Sequence, residues 1–218
     1  MPWRPFVAIL PGMSKSRLEA FSDGVFAIAI TLLVLDVKLP PVADAALGHA
    51  MVALLPRVGV YVITFAIVGV YWVAHHSFLG YFERVDRTAL WLNNLVLLLV
   101  AFLPFPTSVL GAHPGAPAAV LLYASALAGV NVAGTALWAY GAAGGRLVSS
   151  RMSPRFARRV VALHGTPAAV YLLGGMLGHL APAASILVFV AVPTFFIVPN
   201  PLIAQVTGAP WRDGSPQG

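Results

Sequence analysis

Ser22 and Asp23 stand one turn inside a hydrophobic run that opens at Arg17-Leu18 and continues through Leu35. A run of that length is a bilayer-crossing helix. An ionised aspartate in hydrocarbon costs at least roughly 2.5–3.5 kcal/mol on insertion scales. A sequence that accepts such a cost uses the residue, either for an ion pathway or for a fixed contact between helices.

The rest of the chain is of the same kind. Hydrophobic residues make up 59% and charged residues 9%, against about 25% charged in an ordinary soluble domain. Six apolar segments fall at about 17–37, 49–74, 88–110, 116–142, 160–180 and 182–206, each close to the ~20 residues that span a bilayer. The fold expected is an all-α integral membrane protein with six transmembrane helices over residues 17–206. Residues 1–16 then form a cytoplasmic N-terminal segment. Residues 207–218, with Gly208, Pro210, Gly214 and Pro216, read as a disordered cytoplasmic tail.

Charge gives an orientation. The net charge of +6 would suit nucleic acid, but the basic residues are confined to loops between apolar segments, so no nucleic-acid partner is expected. With the N-terminus inside, Arg4, Lys15, Arg17, Arg84, Arg87, Arg146, Arg151, Arg155, Arg158, Arg159 and Arg212 are cytoplasmic, and only Lys38 and Arg57 are external. That asymmetry follows the positive-inside rule and puts both termini in the cytoplasm. A signal peptide cleaved near Ala43-Asp44-Ala45 is the competing reading of the first helix. Ser22 and Asp23 would interrupt its apolar region, and the run is too long.

The first helix has two faces. With Ile28 as zero and ~100° per residue, Leu32 falls near +40°, Leu35 near −20°, Thr31 near −60° and Gly24 near −40°. Asp23 falls near −140° and Ser22 near +120°, off that stripe. An aliphatic seam and a polar corner are therefore expected to do separate jobs. The second helix, ending near His75-His76, and the third, carrying Asn93 and Asn94, bring hydrogen-bonding side chains to the depth of Ser22 and Asp23. Such partners lower the burial cost.

Chemistry beyond packing is scarce. Cysteine is absent, which removes disulfides and thiolate metal sites. Adjacent histidines on a helix point ~100° apart and no third ligand accompanies His75 and His76, so neither a metal nor a cofactor is expected. No nucleophile constellation assembles, which argues against an enzyme. A proton-coupled secondary transporter is the alternative, but it would show inverted repeats and midplane polar groups, whereas no inverted repeat is visible and midplane polar residues outside the corner are few (Thr64, Asn131, Thr135). Asp36, near +80°, is either an outer-mouth carboxylate that concentrates cations or a solvated helix-end residue paired with Lys38. The Arg146–Arg159 cluster reads as a topology determinant that also touches anionic lipid heads.

Arg17-x-x-x-Phe21-Ser22-Asp23, then Trp72-Val73-Ala74-His75-His76 with Phe78, Trp91-Leu92-Asn93, and Phe102-Leu103-Pro104-Phe105-Pro106-Thr107 resemble, in this order, the blocks of the transmembrane protein 175 family of potassium-permeable channels. The matched blocks lie within residues 17–107, and Gly24 replaces an alanine often found after F-S-D. The resemblance implies a cation channel without a Thr-Val-Gly-Tyr-Gly filter, with a pore lined by four first helices. One motif copy per chain then implies a homotetramer. Ile28 would form the tightest ring, with Leu32 and Leu35 above it, Thr31 nearby and Asp36 at the outer mouth. Arg17, Ser22, Asp23, His75, His76 and Asn93 would form a helix-packing polar network. The partners expected are permeant potassium ions, membrane lipids and further copies of the chain, in a multi-pass arrangement in a bacterial inner membrane.

Overall fold

In the computed structural model, residues 14–199 are described. The segment 1–13 and residues from 200 onward lie outside them, and with them the disordered tail expected at 207–218. Eight α-helices follow one another within that span: α1 Lys15–Leu32, α2 Leu47–Ala53, α3 Leu55–Gly80, α4 Arg87–Phe102, α5 Pro104–Ala112, α6 Pro117–Ala142, α7 Pro154–Leu177 and α8 Pro182–Ile197. The fold is all-α, as the apolar segments require.

Five stretches are long and apolar enough to cross a membrane: Lys15–Asp36, Leu55–Gly80, Arg87–Ala112, Pro117–Gly145 and Pro154–Leu177. The sixth, α8, has 16 residues, or about 24 Å at 1.5 Å per residue. Two helix starts differ from the sequence reading for the same reason, and the second span also runs on to Gly80 instead of ending near 74. The second span starts at Leu55-Pro56 and the fifth at Pro154, because proline suits the first turn of a helix and marks its start. Residues 47–53 form the separate short helix α2. Arg155, Arg158 and Arg159 therefore sit in the first turns of α7 instead of preceding it. Long basic side chains tolerate that position by stretching their heads toward water.

Helix α6 is the centre. It is apolar on every side, as expected of a helix surrounded by protein, and it packs most extensively on α7, then on α4 and α5. Small residues set the approach of α7. A methyl on Gly175 would lie 2.5 Å from the Ala124 Cβ, and one on Gly178 would lie 2.7 Å from Val120. Such close backbone approach is how membrane helices gain packing without a hydrophobic driving force. Helix α1 rests on α4 and α3, and α8 rests on α7 and α3.

One end of the bundle is tied together by polar contacts. Gly144 and Gly145 take positive φ (61° and 69°), a conformation glycine adopts at no steric cost, so the chain turns sharply after α6. The following loop pairs Val148 with Phe82 in an antiparallel bridge, and Glu83 N–H donates to Leu147 O at 2.8 Å. Arg84 Nε donates to Arg146 O at 2.9 Å. Asp86 caps α4 through the Ala89 N–H (2.9 Å) and accepts from the Tyr140 hydroxyl at 2.7 Å. Beneath this belt Trp138 is wholly buried, edge-on to Tyr81 and Phe156 and beside Phe78, and donates its indole N–H to Ala157 O at 3.1 Å.

Candidate functional site

Helix α1 divides as its periodicity predicts. Leu18, Ser22, Phe26, Ala29 and Leu33 are buried against the neighbouring helices. Ile28 is 60% exposed, Leu35 57% and Leu32 42%. Thr31 is exposed too, its hydroxyl turned back to Ile28 O at 2.9 Å. The stripe is thus an apolar row that no other helix among the described residues covers. Phe21, 58% exposed, extends it by two turns. It lies about 20° from Ile28 around the helix, a position the sequence reading passed over because Phe21 was read only as part of its motif. Gly24 has nothing within 4 Å of where a Cβ would stand, so it makes no close approach among the described residues.

The polar corner is two sites. In the buried one, Ser22 Oγ donates to Leu18 O (2.8 Å) and Asn93 Nδ2 donates to Ser22 Oγ (3.1 Å). Asn93 Oδ1 lies 2.7 Å from His75 Nε2. An amide oxygen only accepts, so His75 carries its proton on Nε2. The His75 ring also packs on Phe26, centroids 5.3 Å apart. All these side chains are 5% exposed or less.

The second site is half-exposed. Trp72 donates its indole N–H to Asp23 Oδ1 at 2.8 Å, and the exposed His76 ring lies 6.0 Å from the Trp72 ring. Asp23 therefore meets Trp72, not Ser22, His75, His76 or Asn93. Asp23 and Ser22 are one residue, about 100°, apart on α1, so they face different residues of α3. His76 and Arg17 stay outside the buried network, and Arg17 is exposed. In its stead Lys15 reaches α3, donating to Gly80 O at 3.1 Å while pairing with Glu19 at 3.6 Å. Asn94 is exposed.

Residues Leu33–Asp36 tighten into a 3-10 turn. At about 120° per residue, Leu35 stacks over Leu32 and Asp36 swings toward the packed side of α1. Asp36 accordingly lines a cavity of about 160 Å³ with Lys38, Arg57, Tyr61, Thr107 and Ser108. The expected Asp36–Lys38 pair is not formed within 4 Å. Deeper in the bundle, Tyr123 and Thr64 share a hydrogen bond of 2.7 Å, Thr107 donates to Thr64 at 3.3 Å, and Asn131 donates to the Tyr71 hydroxyl at 2.7 Å. These polar side chains join α3, α5 and α6 and satisfy one another. Among the described residues no group of three His, Asp or Glu side chains converges as a metal site.

Comparison with known proteins places this geometry. Residues 17–104 match the sequence model of the family described as endosomal/lysosomal potassium channel TMEM175. A potassium channel of Streptomyces collinus is 40% identical over 149 residues, covering 66% of this chain and 72% of that protein. A potassium channel of Chamaesiphon minutus is 39% identical over 62% of this chain and 70% of that one. The human endosomal/lysosomal proton channel TMEM175 is 42% identical over 101 residues, which cover 20% of its length. Among solved structures, a lysosomal potassium-selective channel TMEM175 homolog from Chamaesiphon minutus superposes with a TM-score of 0.74 at 32% identity, over 84% of this chain and 96% of that one.

Proposed function

We propose, from the premise that this chain belongs to the TMEM175 family, that it is a potassium-permeable cation channel of the bacterial cell membrane that works as a homotetramer with both termini in the cytoplasm. Relatives matched over about 70% of their own length are named potassium channels. The animal relatives named proton channels match over about a fifth of theirs.

The observation that carries the reading is the uncovered row Ile28, Leu32 and Leu35 on a helix whose opposite face packs through Leu18, Ser22, Phe26 and Ala29. One R-x-x-x-F-S-D copy per chain supplies one such helix, so four copies surround one axis. Ile28 forms the tightest ring, Leu32 and Leu35 narrow the path beyond it, and Thr31 offers the nearby hydroxyl. Rings of methyl groups give a passing ion nothing to replace its hydration shell, so the barrier is one of dewetting. Arg17, Ser22, Asp23, His75, His76 and Asn93 hold and flank α1, and Asp36 sets the charge at the far mouth.

The test is recording from purified protein in planar bilayers with potassium, sodium and proton gradients imposed in turn. Wild-type current should be passive and reverse near the potassium potential. Ile28→Ala should raise current and weaken cation discrimination, and Ile28→Asn should make the ring wettable. Unchanged current in both variants would remove Ile28 from the path. Transport driven by a pH gradient would favour the proton-coupled transporter instead.

A further inference from the structure

The chain contains no aspartate or glutamate between Asp86 and Asp213. Yet that stretch carries Arg146, Arg151, Arg155, Arg158 and Arg159. Arg146 is answered by the belt around Asp86, stacking over the Tyr140 ring at 4.8 Å. The other four arginines form no ion pair among the described residues, whose single salt bridge joins Lys15 to Glu19. Arg155 and Arg159, four residues apart, share one face of α7.

Arg159 stands at the end of an apolar groove of about 610 Å³ between α7 and α8. Ala162, Leu163, Val170, Val192 and Phe196 line it. The one hydroxyl on its wall, Thr166, is spent on Ala162 O at 2.6 Å. From Arg159 to Val170 the groove runs eleven residues of helix, about 16 Å at 1.5 Å per residue. One leaflet of a ~30 Å hydrocarbon core is about 15 Å deep. A channel of that length, dry along its walls and cationic at the end facing the headgroups, has the dimensions and charge of one acyl chain below one anionic phosphate.

We propose that the α7/α8 groove is a binding site for an anionic phospholipid, with an acyl chain along Ala162–Val170 and the phosphodiester on Arg159 and Arg155. The lipid supplies the anion that the sequence omits from this half of the chain. It also fills the flank where the short α8 leaves α7 partly uncovered. This site is independent of the conduction path, which lies on α1.

The test uses the full chain purified in detergent and two probes with the same diazirine-bearing acyl chain, phosphatidylglycerol and phosphatidylcholine. After irradiation, peptide mass spectrometry should find adducts within 162–170 and 191–196, at least three-fold more with phosphatidylglycerol. Unlabelled phosphatidylglycerol should displace the probe, whereas unlabelled phosphatidylcholine should not. Arg159→Gln should reduce phosphatidylglycerol labelling to the phosphatidylcholine level, and Val170→Trp should block both. Equal labelling by the two lipids, with no effect of Arg159→Gln, would mean ordinary surrounding lipid and overturn the proposal. So would a disulfide-linked pair formed by Val170→Cys in this cysteine-free chain, since a second copy would then occupy the groove.

Discussion

Trp72 on α3 and Asp23 on α1 are joined by a 2.8 Å hydrogen bond at the half-exposed edge of the bundle, indole N–H to carboxyl oxygen. The bond fixes the rotation of α1 against α3, and with it the direction in which Ile28 points. Hydrogen bonds to charged groups contribute about 1.5–3 kcal/mol. Asp23→Ala, Trp72→Phe and the double variant, compared by thermal melting in one detergent, should show coupling of about that size. Strict additivity would mean that the two side chains are neighbours without an energetic bond.

Asn93 is the hub of the buried site, so its loss should cost more than the loss of either partner. Asn93→Leu leaves both Ser22 and His75 short of a buried partner, at about 1–3 kcal/mol for each group. Ser22→Ala removes a hydroxyl whose donor bond goes to its own helix and should be milder. Melting temperature and the yield of monodisperse protein on size-exclusion should rank Asn93→Leu below Ser22→Ala. The reverse ranking would contradict the hub assignment.

Asp36 shares its cavity with Lys38 and Arg57, so the local charge is mixed. Asp36→Asn should lower single-channel conductance at low salt and Arg57→Gln should raise it. Both effects should shrink as salt rises, because screening shortens the reach of a charge to about 8 Å at physiological ionic strength. Conductance changes of the same sign in both variants, or independent of salt, would take these residues out of the ion's electrostatic path.

Asp86 titrates below the usual carboxylate range. Burial alone would raise it, but the Ala89 N–H, the Tyr140 hydroxyl and Arg146 together outweigh that and stabilise the anion. A carboxylate depressed in the folded state contributes stability that is present above its unfolded pKa, about 3.9, and is lost as pH falls through the folded value. The melting-temperature gap between wild type and Asp86→Asn should therefore be constant above about pH 5 and close below about pH 4. A gap that persists in acid would mean that ionisation of Asp86 is not what the belt depends on.

Gly175→Ala tests the α6/α7 contact. The added methyl would meet the Ala124 Cβ at 2.5 Å, so the helices must part. Overpacking of this kind costs about 1–3 kcal/mol. Gly24→Ala, with open space at the Cβ, is the matched control and should melt like wild type or higher. Equal melting of the two alanine variants would show that α6 and α7 tolerate wider spacing.

The spans were legible from the length of each apolar run and the two faces of α1 from its periodicity, both properties of a single segment. The R-x-x-x-F-S-D block also carried its family in the residues themselves. Which side chain meets Asp23 was not legible, since it depends on the rotation of α3 about its axis, and Trp72 was read only as one member of its block. The rotation of Asp36 about α1 was not legible for a local reason. An extrapolation at 100° per residue cannot foresee the 3-10 turn at Leu33 that carries it toward Arg57. Pro56 and Pro154 did mark helix starts and were outweighed by hydropathy, which places a boundary where apolar residues begin and not where the backbone begins to coil.

Helix α8, at about 24 Å, is some 6 Å shorter than a ~30 Å hydrocarbon core. Lipid beside α8 must thin, or the helix must draw its ends inward, at a cost of fractions of a kcal/mol for every ångström of mismatch. Along that one flank the protein therefore deforms its surroundings and favours regions where the bilayer is already thin. Lateral tension and acyl-chain length thereby gain a physical handle on the flank where α8 rests on α7 and α3.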